Sequence, residues 1–420
     1  MITVEEHRDA VLGQISPVAA VTLPVGRAVG LVTTTDVLSR ADLPRFDNSS
    51  MDGYAVRRAD LEGATAETPV LLPVTGDIAA GDQQAHELVE GQAWRIMTGA
   101  PVPAGADAVV RLEDTDSHPH EPQFRVHPTP GQHIRRAGED MHEGDLVVPA
   151  GSRVGAGQVA ALISAGVAEV EVVGPVRVVV LSTGDELVPA GSAVGPGQII
   201  DSNGPMLAAL VQDAGGYVVH VGHLPDDEGA TKKEIHRQLV HADLVITTGG
   251  VSKGAFDIVK KVLTGAGSMT FEEVAMQPGK PQGFGVLGHR RVPVFTLPGN
   301  PVSTLVSFEV FVRPALQRLA GRAEGARGAR GLVREGWSSS KGRQTYTRVH
   351  LHRDPTGAYA VTPAGGPGSH LVHPLATADA LAVSAAETSD VEAGAEVELL
   401  LLRPRSEIDA RLDSEDEDER

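Results

Sequence analysis

Apolar residues along this chain switch between two rhythms, and the switches mark its parts. At the start, Thr3 and Glu6 form a Thr-x-x-Glu capping box ahead of an amphipathic run through Val11, Leu12 and Ile15, which predicts a helix ending before Pro17. From Val21 to Val37 the apolar segments are short and broken by Pro24, Gly26 and Gly30, as strands are. Between Asp52 and Arg135 the segments Val70 to Val74, Ala93 to Met97 and Asp107 to Leu112, separated by turns rich in glycine and proline, predict a β-rich domain. Gly155-Ala-Gly157 opens a helix from Gln158 to Ala165. From Val176 the rhythm alternates. Arg177 to Leu181, Tyr217 to Val221, Leu244 to Thr247 and Val292 to Leu297 read as strands; Pro205 to Ala214, Gly229 to His241 and Val302 to Leu319 read as helices. This alternation predicts an α/β domain with a largely parallel sheet. A Gly- and Arg-rich linker from Arg322 to Arg330 follows, then short strands at Thr345 to Leu351, Ala358 to Val361, Ala380 to Val383 and Val397 to Leu402. The closing acidic run Ser414 to Arg420 reads as a disordered, solvated tail.

One unit organises the α/β part. Leu244 to Thr247 is a buried strand, Thr248 to Gly254 a glycine-rich turn, and a helix starts at Phe256. Glycines let backbone amides approach a ligand, and a helix start presents unpaired N–H groups, so an anion is the expected guest; simple chain reversal is the plain alternative. Asp257, in the first helical turn, either complements the helix dipole or ligates a metal riding on a phosphate. Parallel sheets bind ligands beyond the C-terminal ends of their strands. Four such ends carry Ser182-Thr-Gly-Asp-Glu186, Asp226-Asp-Glu228, Thr248-Gly-Gly-Val-Ser252 and Pro298-Gly-Asn-Pro301. Glu186, Asp226 and Asp257 can therefore converge on one crevice, where carboxylates hold a hard cation such as magnesium and glycine turns take phosphate oxygens. The loop Gln277-Pro-Gly-Lys280-Pro281 adds Lys280 as a cation for the same anion.

Composition narrows this reading. A chain of 420 residues holds two to four domains, and with 41% hydrophobic but only 3% aromatic residues its cores are built from Val, Ala and Leu. The formal net charge of −19 argues against a nucleic-acid backbone or an anionic membrane as partner. The absence of cysteine removes disulfides, thiolate metal sites and cysteine nucleophiles. An acidic N-terminal segment and the lack of a membrane-length apolar run lead to the expectation of a soluble, cytoplasmic protein.

Several motifs weigh less. Gly155-Ala-Gly157 lacks a buried strand before it, which argues against a dinucleotide site, and no P-loop is present. His118 and His120 lack carboxylate companions and read as solvated. The segments Leu43 to Val56 and Ile134 to Asp140 each fit a surface role or a site-lining role, and the residues leave both open. Gly250-Val-Ser252-Lys-Gly254 fits a nucleophile elbow and keeps a serine hydrolase as a rival, although no His-Gly-Gly-Gly oxyanion segment accompanies it.

Six ordered motifs carry a resemblance. Phe46-Asp-Asn-Ser-Ser-Met-Asp-Gly-Tyr-Ala55, Met97-Thr-Gly-Ala-Pro-Val-Pro103, Ile134-Arg-Arg-Ala-Gly-Glu-Asp140, Ser182-Thr-Gly-Asp-Glu-Leu187, Thr248-Gly-Gly-Val-Ser252 and Leu297-Pro-Gly-Asn-Pro-Val-Ser303 resemble the MoeA family of molybdopterin molybdenumtransferases, which includes the gephyrin E domain. The resemblance implies an elongated subunit of α/β and β parts: a split N-terminal domain (1–50 with 136–174), an inserted β-rich domain (51–135), an α/β domain of the molybdopterin-binding type (175–321), a C-terminal small β-barrel (322–405) and the tail (406–420). It implies a homodimer with each site shared across the interface, working with other proteins of the molybdenum cofactor pathway. It also implies a reaction, in which Mg2+ serves hydrolysis of adenylylated molybdopterin, AMP leaves and molybdate is inserted. Carried over by motif, Asp52, Asp140, Glu186, Asp226 and Asp257 match the functional acids, with Asp226 and Asp257 for the metal. Thr98, Ser182, Thr183, Gly249, Gly250, Ser252, Pro298, Gly299, Asn300 and Ser303 would line the substrate crevice, with Asp52, Thr98 and Asp140 reaching it from the second subunit, and Lys280, Arg348 and Ser369 would face molybdate. Gln277 and Glu273 stand where many relatives carry lysine, which implies a less positive anion pocket. A non-enzymatic scaffold, the use the gephyrin branch makes of this fold, is the other rival; the complete set of acids argues for catalysis.

Overall fold

The computed structural model describes residues 1–250, 258–265, 269–323, 325 and 327–418. They form two compact units, Met1–Val21 with Val173–Arg420, and Thr22–Val172.

The first unit opens with α1 (Val4–Leu12), started by the expected capping box: Thr3 Oγ1 accepts from the Glu6 amide at 3.0 Å, and Glu6 Oε2 accepts from the Thr3 amide at 2.8 Å. Its centre is a six-stranded sheet of β1 (Arg177–Thr183), β2 (Tyr217–Leu224), β3 (Leu244–Thr248), β4 (Thr270–Glu273), β5 (Pro281–Leu287) and β6 (Val292–Leu297), in the order β2-β1-β3-β6-β5-β4. The strands β2, β1, β3 and β6 run parallel; at one edge β5 runs antiparallel to β6, and β4 antiparallel to β5. This edge pair is absent from the sequence-based expectation, because Thr270-Phe-Glu-Glu and Pro281-Gln-Gly-Phe-Gly dilute the apolar pattern with polar residues and glycine. The inner strands read as continuous apolar runs because both faces are covered. Val178 and Val180 join one core with Leu207 of α2 (Asn203–Asp213) and Val306 of α5 (Pro301–Ser307), while Val179 and Leu181 join another with Ile235 of α3 (Glu228–Leu239) and Val262 of α4 (Ile258–Thr264). Helix α5 runs through a π-helical turn, Phe308–Val312, into α6 (Arg313–Leu319), realising the long helix expected from Val302.

The small β domain of the same unit is a closed five-stranded barrel. β7 (Gly328–Val333), β8 (Gln344–Arg353), β9 (Tyr359–Pro363), β10 (Ala380–Ser384) and β11 (Glu396–Leu401) pair in the cycle β8-β9-β7-β11-β10-β8 around Val349, Leu351, Val361 and Leu399. Closure leaves no free edge among these strands. Met276–Gln277 adds in parallel to Gln344–Thr345, which fastens the Gln277 loop to the barrel. The C-terminal residues depart from the expected disordered tail: Arg405–Asp418 is a helix, α7. Its physical reason is a short apolar stripe, since Ile408 and Leu412 at i,i+4 are both buried in the barrel core. Arg411 adds an ion pair to Asp379 at 2.8 Å, and Asp409 accepts from Tyr359 Oη at 2.7 Å.

The second unit carries a four-stranded sheet, Val74–Ile78, Ala93–Ile96, Gly53–Val56 and Ala108–Arg111 in that order, with Tyr54, Phe124 and Val110 in its core. Its helix Ala156–Ser164 begins after Gly155, as the sequence suggests. Among the described residues, no helix is long and apolar enough to cross a membrane.

Candidate functional site

The crevice lies at the C-terminal ends of β1, β3 and β6, where two glycine turns meet. After β3, Gly249 and Gly250 adopt φ of +94° and +66°, a region that favours glycine. A Cβ on Gly249 would stand 2.4 Å from Thr183 Oγ1, so the turn is close-packed as well as left-handed. Thr183 Oγ1 donates to Thr248 O at 3.0 Å, which joins the end of β1 to this turn. The second turn, Pro298-Gly299-Asn300, lies against the first: a Cβ on Gly299 would meet Gly249 Cα at 3.4 Å. Pro298 O accepts from Thr304 Oγ1 at 2.6 Å and from Thr248 Oγ1 at 3.2 Å. Ser182 is fully buried, and its Oγ has no hydrogen-bond partner among the described residues. Ser303 is buried within α5.

Acids gather at the rim of the same sheet end. Asp185 Oδ1 accepts from the Asp226 amide at 3.1 Å, and Asp226 Oδ2 accepts from the Asp185 amide at 3.3 Å, so two carboxylates from neighbouring strand ends hold each other's backbone. The Glu186 carboxylate folds back over Gly184, where a Cβ would lie 2.4 Å from Oε2. Among the described residues, no three Asp, Glu or His side chains come together as a metal cluster. Asp257, expected as a metal ligand, and Ser252, expected in the crevice and as the rival nucleophile, lie outside the described residues.

The cations expected to face an anion already have partners. Lys280 Nζ is 2.9 Å from Glu273 Oε2. Arg348 is 4% exposed and donates to the carbonyls of Gly366, Gly368 and Leu371, so it holds the 366–371 loop. Burial draws its pKa below the ordinary guanidinium value. That loop delivers Ser369 to the crevice: Asn300 Nδ2 donates to Ser369 Oγ at 2.8 Å, and the Val302 amide donates to Ser369 O at 3.1 Å. A cavity of about 190 Å³ opens beside Gln277, Trp337 and Arg348, and Gln277 Oε1 has no described partner.

In the second unit, Asp52 and Thr98 are brought together. Asp52 Oδ1 accepts from the Thr98 amide at 2.7 Å and from Thr98 Oγ1 at 2.9 Å, and these bonds hold its carboxyl below the usual carboxylate range. Asp140 is exposed, its amide bonded to Leu43 O at 3.0 Å.

Comparison with known proteins fits this arrangement. Residues 2–166 match the MoeA N-terminal region (domain I and II), 179–318 a probable molybdopterin binding domain, and 330–402 the MoeA C-terminal region (domain IV). A molybdopterin molybdenumtransferase 2 of Mycobacterium tuberculosis (strain ATCC 25618 / H37Rv) is 42% identical over 406 residues, covering 95% of this chain and 99% of its own. The chain belongs to the MoeA family. A Haemophilus influenzae molybdopterin molybdenumtransferase is 36% identical, covering 94% of this chain and 97% of its own. The crystal structure of the molybdopterin biosynthesis MoeA protein from Pyrococcus horikosii superposes with a TM-score of 0.79 at 32% identity, covering 96% of this chain and 100% of that one. The multi-domain mixed α/β fold with its closed barrel is thus the MoeA fold. Within it, sequence reading missed Asn203, Asp185, Thr248 and Thr304, which organise the crevice. Asn203 had a usable signal, a small polar residue in Asp201-Ser-Asn-Gly-Pro205 where a helix begins on a strand end; the hydroxyl of Thr248 had none, because its partners lie far along the chain, whereas Thr304 bonds to Asn300 O and Pro298 O only four and six residues away.

Proposed function

We propose that this protein catalyses magnesium-dependent insertion of molybdate into adenylylated molybdopterin with release of AMP. The observation that supports this best is the meeting of two glycine turns, Thr248–Gly250 and Pro298–Asn300, beside the acidic rim of Asp185, Asp226 and Glu186. Such turns suit the phosphoanhydride of an adenylate, because glycine lets backbone approach its oxygens closely. Asp226 and Asp185, with Asp257, would hold Mg2+, and their chemistry fits a cation that takes one or two carboxylates plus substrate phosphate. Once bound, that ion supplies charge neutralisation at the phosphoryl oxygens and a more acidic water. Glu186, exposed at the rim, would accept a proton from an attacking water. Asn300 is bonded to Ser369 of the 366–371 loop, whose Gly366 and Pro367 share a cavity with Gln277, on the proposed molybdate side. A homodimer and a cytoplasmic location belong to the same proposal, and light scattering in solution tests the first. The chemistry is tested with Asp226→Asn: we expect magnesium-dependent AMP release to be lost while the melting temperature is kept. Full activity in that variant would remove Asp226 from the site.

A further inference from the structure

Asn203, the first residue of α2, sits where the two turns touch and closes them together. Its Nδ2 donates to Gly299 O at 2.6 Å and to Thr248 Oγ1 at 3.1 Å. A carbonyl oxygen can only accept, so the bond to Gly299 fixes which arm of the amide is nitrogen. One side chain on a third element thereby binds the turn after β3 to the turn after β6.

The neighbouring polar groups are matched among themselves. Thr248 O accepts from Thr183, Thr248 Oγ1 reaches Pro298 O, and Thr304 Oγ1 reaches Pro298 O and Asn300 O. Two groups are exceptions, Ser182 Oγ and the other arm of Asn203, whose Oδ1 is shielded from solvent and has no donor among the described residues. A shielded acceptor left without a donor is disfavoured, and a ligand that fills the crevice can bring one.

We propose that Asn203 is a positioning and selectivity residue, whose nitrogen clamps the two phosphate turns together and whose oxygen accepts a hydrogen bond from an N–H or O–H group carried by the ligand. The site then favours a phosphate bearing a donor-rich nucleoside or pterin over a bare phosphate chain. This rests on the reading of the crevice as a phosphate site.

Two measurements on the full chain separate the halves of the proposal. In the ligand-free protein, Asn203→Ala is expected to speed backbone amide exchange about tenfold in residues 248–250 and 298–300 together, with the barrel strands unchanged. Unchanged exchange in both turns overturns the clamp. Calorimetric titration with AMP and with inorganic pyrophosphate reads the second half: Asn203→Ala should weaken AMP about tenfold or more and pyrophosphate only about two- to threefold. Equal weakening of the two ligands, or none, overturns selectivity through the oxygen. Asn203→Ser, with a shorter polar arm, serves in both experiments if the alanine variant melts early. Wild-type protein that binds neither ligand overturns the phosphate reading and the ligand half with it, while the exchange result still decides the clamp.

Discussion

At the N-terminal end of the six-stranded sheet, Asp243 accepts from Arg177 Nε at 2.8 Å and Nη2 at 2.9 Å, and from Arg290 Nη2 at 2.7 Å. At the C-terminal end of the same strands, Ser182 Oγ and Asn203 Oδ1 have no described partner, and glycine stands where a Cβ would collide with Thr183. One end is a closed set of charges; the other is a set of polar groups that still needs something to bond. The difference teaches where each kind of residue acts. Matched charges contribute to stability, whereas unmatched polar atoms held in place by backbone mark the surface that a ligand completes.

The largest effect expected from breaking this comparison is at Gly249. Gly249→Ala forces a Cβ toward Thr183 Oγ1 at φ of +94°, and AMP release should drop by about two orders of magnitude with a much smaller loss of melting temperature. Activity close to wild type would show that the turn is not the phosphate site. At the opposite end, Asp243→Ala leaves two guanidinium groups facing each other, and chemical denaturation should report a loss of about 1–3 kcal/mol with catalysis retained. A variant that loses activity but no stability would reverse the roles assigned to the two ends.

A smaller effect is expected beside the crevice, where Glu273 neutralises Lys280. Glu273→Gln frees the ammonium for an incoming oxyanion, and molybdate affinity should rise about three- to tenfold at low salt and less at high salt. Gln277→Lys should act in the same direction; unchanged affinity in both variants would mean that molybdate does not bind at this loop. The smallest effect concerns pH. Burial pushes the Asp243 carboxyl upward, but the bonds from Arg177 and Arg290 outweigh it and leave the pKa below the ordinary value. A depressed folded-state pKa contributes stability that is fully present above the unfolded carboxylate value of about 4 and is lost as pH falls through the lower folded value. The stability gap between wild type and Asp243→Asn should therefore narrow below about pH 4, and a gap independent of pH would count against the ion pairs.

Much of this architecture was legible in the sequence, because local chemistry determines it. The Thr3–Glu6 capping box, the continuous apolar run of Val178 to Leu181 and the glycines at 249 and 250 each announce their conformation within a few residues. What the sequence hid depends on partners far along the chain. Lys280 reads as a free cation until strand β4 places Glu273 against it, and nothing near Arg348 in the sequence announces that its guanidinium holds the 366–371 loop. The tail reads as disordered because its charge obscures the pair Ile408 and Leu412, whose burial needs the finished barrel. The local sequence marks Asn203 as a polar helix start, but its clamp is hidden for the same reason, since its two acceptors lie 45 and 96 residues away.

On the proposal made above, the paired glycine turns and acidic rim serve hydrolysis of an adenylate coupled to metal-oxyanion insertion. Its most direct test is AMP release from adenylylated molybdopterin, measured with and without molybdate and with and without magnesium. Release that requires both is the predicted result. No release from substrate that nonetheless binds would contradict the claim and favour a scaffold.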